Sequence, residues 1–159
     1  MRKITLVAGL LFGLVLFNSC SSDDDTADVV AEVQLEDVMV QNSPWTFNHY
    51  ELINVVNAGT STMTPAEIES DMNLQLAGFT LIFNQDGTGE TVIEGEEGES
   101  WTWVIENGDD LRIVYPGNFS DEYLNLSLLN SQLKMESESI TYDSTANFEV
   151  LHYGSLVFE

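Results

Sequence analysis

Cysteine, histidine, proline and positive charge are all scarce: one Cys, two His, three Pro and four Lys plus Arg in 159 residues. Each scarcity excludes something. A lone Cys20 forbids an intramolecular disulfide, a CxxC redox pair and a thiolate metal cluster. His49 and His152 lie far apart in sequence, in neither HExxH nor any similar ligand spacing, and no GxSxG elbow, SxxK or phosphate-binding glycine loop occurs. Each histidine therefore reads as a hydrogen-bonded strand residue. With 27 Asp plus Glu, carboxylate pairs arise by chance and signal no chemistry. No enzyme activity, cofactor or metal is expected. Apart from Arg2 and Lys3 the strong cations are Arg112 and Lys134, too few for a basic face, which excludes nucleic acid and electrostatic docking on anionic lipid. Also missing is an apolar run of roughly 20 residues, the length a helix needs to cross a bilayer.

What is present begins with the N-terminus. Met1, Arg2 and Lys3 precede an apolar run from Ile4 to Phe17, and Asn18 and Ser19 lead to Cys20; this is the order of a secretory signal, with a charged region, an apolar region and a processing site. The segment Phe17-Asn18-Ser19-Cys20 resembles the lipobox of bacterial lipoproteins. That resemblance implies that Cys20 takes a diacylglycerol through sulfur and, after cleavage, anchors the protein to a membrane. Ser21, Ser22, Asp23, Asp24 and Asp25 bury too little apolar surface to fold and read as a solvated tether. They are similar to the Ser-plus-acidic export signal of Bacteroidetes lipoproteins, which implies lipid anchoring in the outer membrane, with exposure at the surface slightly favoured over the periplasm.

The expected organisation is a signal peptide over residues 1–19, a lipidated Cys and acidic tether over 20–42, and a folded domain over 43–159. Loss of Arg2 and Lys3 with the signal would take the formal charge from −23 to −25. Such acidity favours solubility and opposes compactness through self-repulsion. The remaining 140 residues suit one domain with its own core.

Periodicity sets the expected fold. Residues 26–42 fit neither the helical nor the strand period cleanly and read as tether grading into a short capping segment. Ser43 to Ile53 alternates, placing Trp45, Phe47 and His49 on one face and Thr46, Asn48 and Tyr50 on the other, which predicts the first strand. Thr64-Pro65-Ala66-Glu67 has an N-cap Thr, Pro at the first helical position and Glu three residues after the cap. With Ile68, Met72 and Leu76 every fourth residue, it predicts one helix over 65–77. The remainder reads as short strands and tight turns. Phe79–Phe83 turns through Asp86-Gly87 into Glu90–Ile93, and Trp101–Ile105 turns through Asn107-Gly108 into Leu111–Tyr115. Alternating Leu124, Leu126 and Leu128 turn at Asn130-Ser131 into Leu133 and Met135, and Phe148–Phe158 closes the series. The expected fold is all-β and mainly antiparallel: about eight strands in an up-and-down barrel, with one short helix after the first strand. A closed barrel removes exposed edges; an open sandwich is the alternative.

Trp45 in the first strand, the helical insert, the segment Leu81-Ile82-Phe83-Asn84-Gln85-Asp86-Gly87-Thr88-Gly89, the Trp101-Thr102-Trp103 strand, and Leu111-Arg112-Ile113 and Leu124-Asn125-Leu126 together resemble the lipocalin-like domains of Bacteroidetes lipoproteins, within the calycin-type barrels. The resemblance spans roughly residues 43–158 and implies a lipocalin-like architecture. An eight-stranded barrel is either filled by side chains or just wide enough for one small ligand. Trp45, Phe79, Leu81, Phe83, Trp101, Trp103, Ile105 and Tyr115 are the candidate lining of a site for a small apolar ligand, with His49 as a further polar contact. The alternative is that these aromatics fill the core of a solid barrel acting as an interaction module, whose protein partner the sequence does not identify. Asn84, Asp86 and Glu90, and then Glu94, Glu96, Glu97 and Glu99, superficially resemble oxygen-rich calcium ligands, but no twelve-residue calcium loop is present, and a hairpin turn and a solvated acidic rim are the expected readings.

Overall fold

A computed structural model of the chain describes residues 34–93, 96 and 98–159. Cys20, the apolar run and the acidic tether lie outside the described residues, as do Glu94 and Glu97. The elements run α1 (Leu35–Gln41), β1 (Trp45–Asn57), α2 (Pro65–Gln75), β2 (Thr80–Phe83), β3 (Thr88–Val92), β4 (Glu99–Glu106), β5 (Asp110–Val114), β6 (Ser120–Leu129), β7 (Gln132–Asp143) and β8 (Phe148–Phe158). The strands form a closed barrel in sequence order, every neighbour antiparallel, and the short helix α2 follows the first strand as expected.

Local chemistry sets these boundaries. Thr64 caps α2 through a reciprocal box with Glu67, the Glu67 N–H donating to Thr64 Oγ1 at 3.3 Å and the Thr64 N–H donating to Glu67 Oε2 at 2.7 Å. Asn130 and Ser131 both adopt positive φ (53° and 63°) in the two-residue loop between β6 and β7. This is the mirror-image turn whose twist matches a hairpin. Asp86 Oδ1 accepts the Thr88 N–H at 3.0 Å and the Thr88 hydroxyl at 2.6 Å, closing the β2–β3 turn on itself.

Three details differ from the sequence reading, each for an identifiable reason. The expected capping segment is the helix α1, whose Met39 is fully buried; its carbonyl accepts the indole N–H of Trp45 at 2.8 Å. Strand β1 changes faces at a bulge between Phe47 and His49, so Tyr50, not His49, joins Trp45 and Phe47 inside. A second bulge between Leu124 and Ser127, with Asn125 at φ 52°, turns Leu124 outward while Leu126 stays buried.

The strands are unequal, and that inequality shapes the barrel. β1, β7 and β8 run well past their other neighbours, β1 and β7 each pairing with β8 along its length. β1 meets β2 only at Trp45 and Thr46. Beyond that point α2 takes over the free edge: the N–H of Tyr50 donates to Asn73 Oδ1 at 2.8 Å and that of Leu52 to Glu69 Oε1 at 3.0 Å, so the backbone groups are satisfied.

Candidate functional site

The end of the barrel next to α1 is solid. Leu81, Phe83 and Trp101 are 2–3% exposed, and the Phe83 ring meets Trp101 and Trp103 edge-on, both at 5.2 Å, a favoured aromatic geometry. Gly89 lies opposite Trp101, where any Cβ would collide with the indole ring. The indole N–H groups are satisfied, Trp101 donating to Thr91 Oγ1 at 2.7 Å and Trp103 to the Thr88 carbonyl at 3.0 Å. Of the eight candidate lining residues, Trp45, Leu81, Phe83 and Trp101 are buried in this core, and Phe79, Trp103, Ile105 and Tyr115 are partly buried against it.

The other end is open. β6 pairs with β5 up to Ser120 but with β7 only from Leu124 downward, while β7 continues along β8 to Asp143. Between Ser120–Tyr123 and Ser137–Ser139 the wall parts around a cavity of about 580 Å³. Phe79 and Leu81 of the expected lining border it, joined by Met72 of α2, by Leu76 at that helix's C-cap, and by Leu156 and Phe158 from β8. Asp121, Glu122, Tyr123, Leu124, Glu138 and Tyr153 also line its margin. The expectation missed these residues. Asp121 and Tyr123 alternate in the sequence as one face of a strand, which was the available signal; the parting of β6 from β7 had none.

Register fixes the orientation at this mouth. Asp121 pairs with the fully buried Ile113, and Tyr123 with the buried Leu111, so both face inward. Tyr115, the eighth candidate, sits just beyond β5 next to Asp121: burial first, then the Asp121 carboxylate, pushes its phenol above the ordinary tyrosine range. Burial likewise raises Tyr123, with Tyr115 and Asp121 adding to it. Both phenols therefore stay neutral hydrogen-bond donors at neutral pH.

Under α2 lies a separate buried polar group. His152 is fully buried, with Nδ1 2.8 Å from the Tyr50 hydroxyl and Nε2 3.1 Å from Thr141 Oγ1. Burial lowers its pKa, partly opposed by the Asp71 carboxylate, and pushes Tyr50 up to about 12 with help from Glu69. With both ring nitrogens occupied, the imidazole ties β1, β7 and β8 together. His49 instead lies on the outer face, its Nε2 3.3 Å from Glu51 Oε1. Among the described residues no three His, Asp or Glu side chains converge as metal ligands, and Asp86 is spent on its own turn.

No family model matches this chain, and neither a curated protein nor a solved structure shows significant similarity to it.

Proposed function

We propose that this protein is a lipid-anchored envelope lipoprotein whose lipocalin-like barrel binds a small, largely apolar ligand at its open end. The observation that carries the reading is the cavity of about 580 Å³ floored by Phe79, Leu81, Leu156 and Phe158. Its volume lies within the range of small-molecule sites, and apolar walls with a few placed polar groups are their usual composition. Anchoring rests on Cys20 and the acidic tether, and the reading places the domain at the outer membrane, at its surface in preference to the periplasm. Neither nucleic acid nor catalysis has a part in it.

Two experiments test it. Mass analysis of the N-terminal peptide from the host envelope should show Cys20 carrying a diacylglyceryl group, and an unmodified Cys20 would refute the anchor. Titration of the isotope-labelled full chain with 4-phenylbutan-1-ol should shift the Tyr123, Ser137 and Ser139 amide resonances saturably. Ser139→Trp, which fills the opening, should abolish the Tyr123 and Ser137 shifts; failure of the parent protein to respond would refute the site.

A specific observation supports a second reading, an interaction module contacting an envelope protein or glycan. On the overhanging strands β1 and β7, Ile53, Val56, Ile140 and Tyr142 are about half exposed, apolar side chains available for contact with a partner.

A further inference from the structure

The chemistry of the cavity margin narrows the ligand class beyond "small and apolar". We infer that the cavity selects an amphiphile with a cationic, amine-type head and an apolar body, the head seated at Asp121 and the body lying on Phe79, Leu81, Leu156 and Phe158; this rests on the binding function proposed above.

Every charged residue lining the cavity is acidic: Asp121, Glu122 and Glu138, with no Lys, Arg or His. Asp121 is the one whose strand position faces the interior, by its pairing with Ile113. Among the described residues the strong cations are Arg112 and Lys134, and both are engaged elsewhere. Arg112 lies 3.6 Å from Glu106 and stands directly across the strands from Glu122 on the outer face, and Lys134 lies 2.6 Å from Glu51. The charge of Asp121 and Glu138 is thus left for a ligand to neutralise. Tyr123 adds an aromatic ring beside Asp121, and a cation is drawn both to carboxylate and to aromatic faces. An anionic head would meet three carboxylates and no donor cation, so a fatty-acid-type ligand is disfavoured. The apolar floor lies deeper than the acids, which gives the site polarity along its axis: body in, head at the lip.

The test is a comparison of three probes of one shape, 4-phenylbutylammonium, 4-phenylbutan-1-ol and 4-phenylbutanoate, titrated into the full chain at 150 mM salt and read at the Tyr123, Ser137 and Ser139 amides. The expected order is ammonium at least tenfold tighter than alcohol, with the carboxylate weakest. Asp121→Asn combined with Glu138→Gln should reduce the ammonium advantage over the alcohol to threefold or less. Equal affinity of ammonium and alcohol would overturn the head-group assignment and leave the binding site standing. An ammonium preference that survives the double substitution would also overturn it, tracing the preference to the net charge of the whole molecule. No saturable shift with any probe would overturn both the inference and the proposed binding function.

Discussion

The two ends of this barrel are built from the same strands, yet one is solid and the other hollow. Near α1 all eight strands are hydrogen-bonded to both neighbours and the interior is packed with Trp45, Phe83, Trp101 and Trp103. At the far end β1, β7 and β8 continue alone, α2 closes the β1 side, and the β6–β7 side stays open around the cavity. The difference lies in strand length, not in residue type. Aromatic residues line both ends, and where the surrounding strands are complete they become core, whereas Phe79, beyond the last β1–β2 pair, becomes the wall of a cavity.

The sharpest way to break this comparison is to truncate the same side chain at each end. Phe83→Ala should cost about 3–5 kcal/mol, the usual penalty for deleting a fully packed aromatic, whereas Phe79→Ala should cost roughly 1–2 kcal/mol because its site is already half open. Chemical denaturation measures both, and equal losses would mean that the mouth is as tightly packed as the base.

A smaller effect is expected at the polar group under α2. Tyr50→Phe removes the hydroxyl that satisfies His152 Nδ1 and should cost about 1–2 kcal/mol, the penalty for a buried polar atom left unpaired. The same group predicts a pH dependence. Burial holds the His152 pKa below its ordinary 6.5, so as pH falls through that value the unfolded chain takes up the proton before the folded one. Stability is therefore full above pH 6.5 and declines on acidification until the folded imidazole is itself protonated. Thermal melts between pH 7.5 and 5.5 should show a falling Tm that is flattened in His152→Gln. The lowered carboxylates Asp86 and Asp143 act in a separate, more acidic window, contributing stability above their ordinary range and losing it as pH falls through their folded values.

The smallest effect is a gain. Ser131 adopts φ 63°, a left-handed conformation that costs a side-chain-bearing residue about 1–2 kcal/mol, so Ser131→Gly should stabilise the protein by roughly 0.5–1 kcal/mol after the entropic cost of glycine. A lower Tm in that variant would show that the hairpin does not need the left-handed turn.

Much of this fold was legible because its signals are local. Thr64-Pro65-Ala66-Glu67 announced its capping box, Asp86-Gly87 and Asn107-Gly108 announced turns, and period-two patterns marked the strands. The seven-residue α1 was not legible: it presents a single fully buried residue, Met39, and one residue makes no period. The bulges near Asn48 and Asn125 were also hidden, since one extra residue reverses the faces downstream without changing composition. That is why His49 reads as inward and lies outward. The solid end of the barrel could be anticipated from its aromatics. The cavity could not, because it depends on where the β6–β7 ladder stops, a consequence of long-range register that no short segment encodes.

The most direct test of the proposed binding function is native mass spectrometry of the full protein purified gently from its own host, followed by denaturing extraction of whatever it retains. A small molecule present at one copy per folded chain, lost from Ser139→Trp, is the predicted result. A folded protein that carries nothing, with a mass identical to that of Ser139→Trp apart from the substitution itself, would contradict the account.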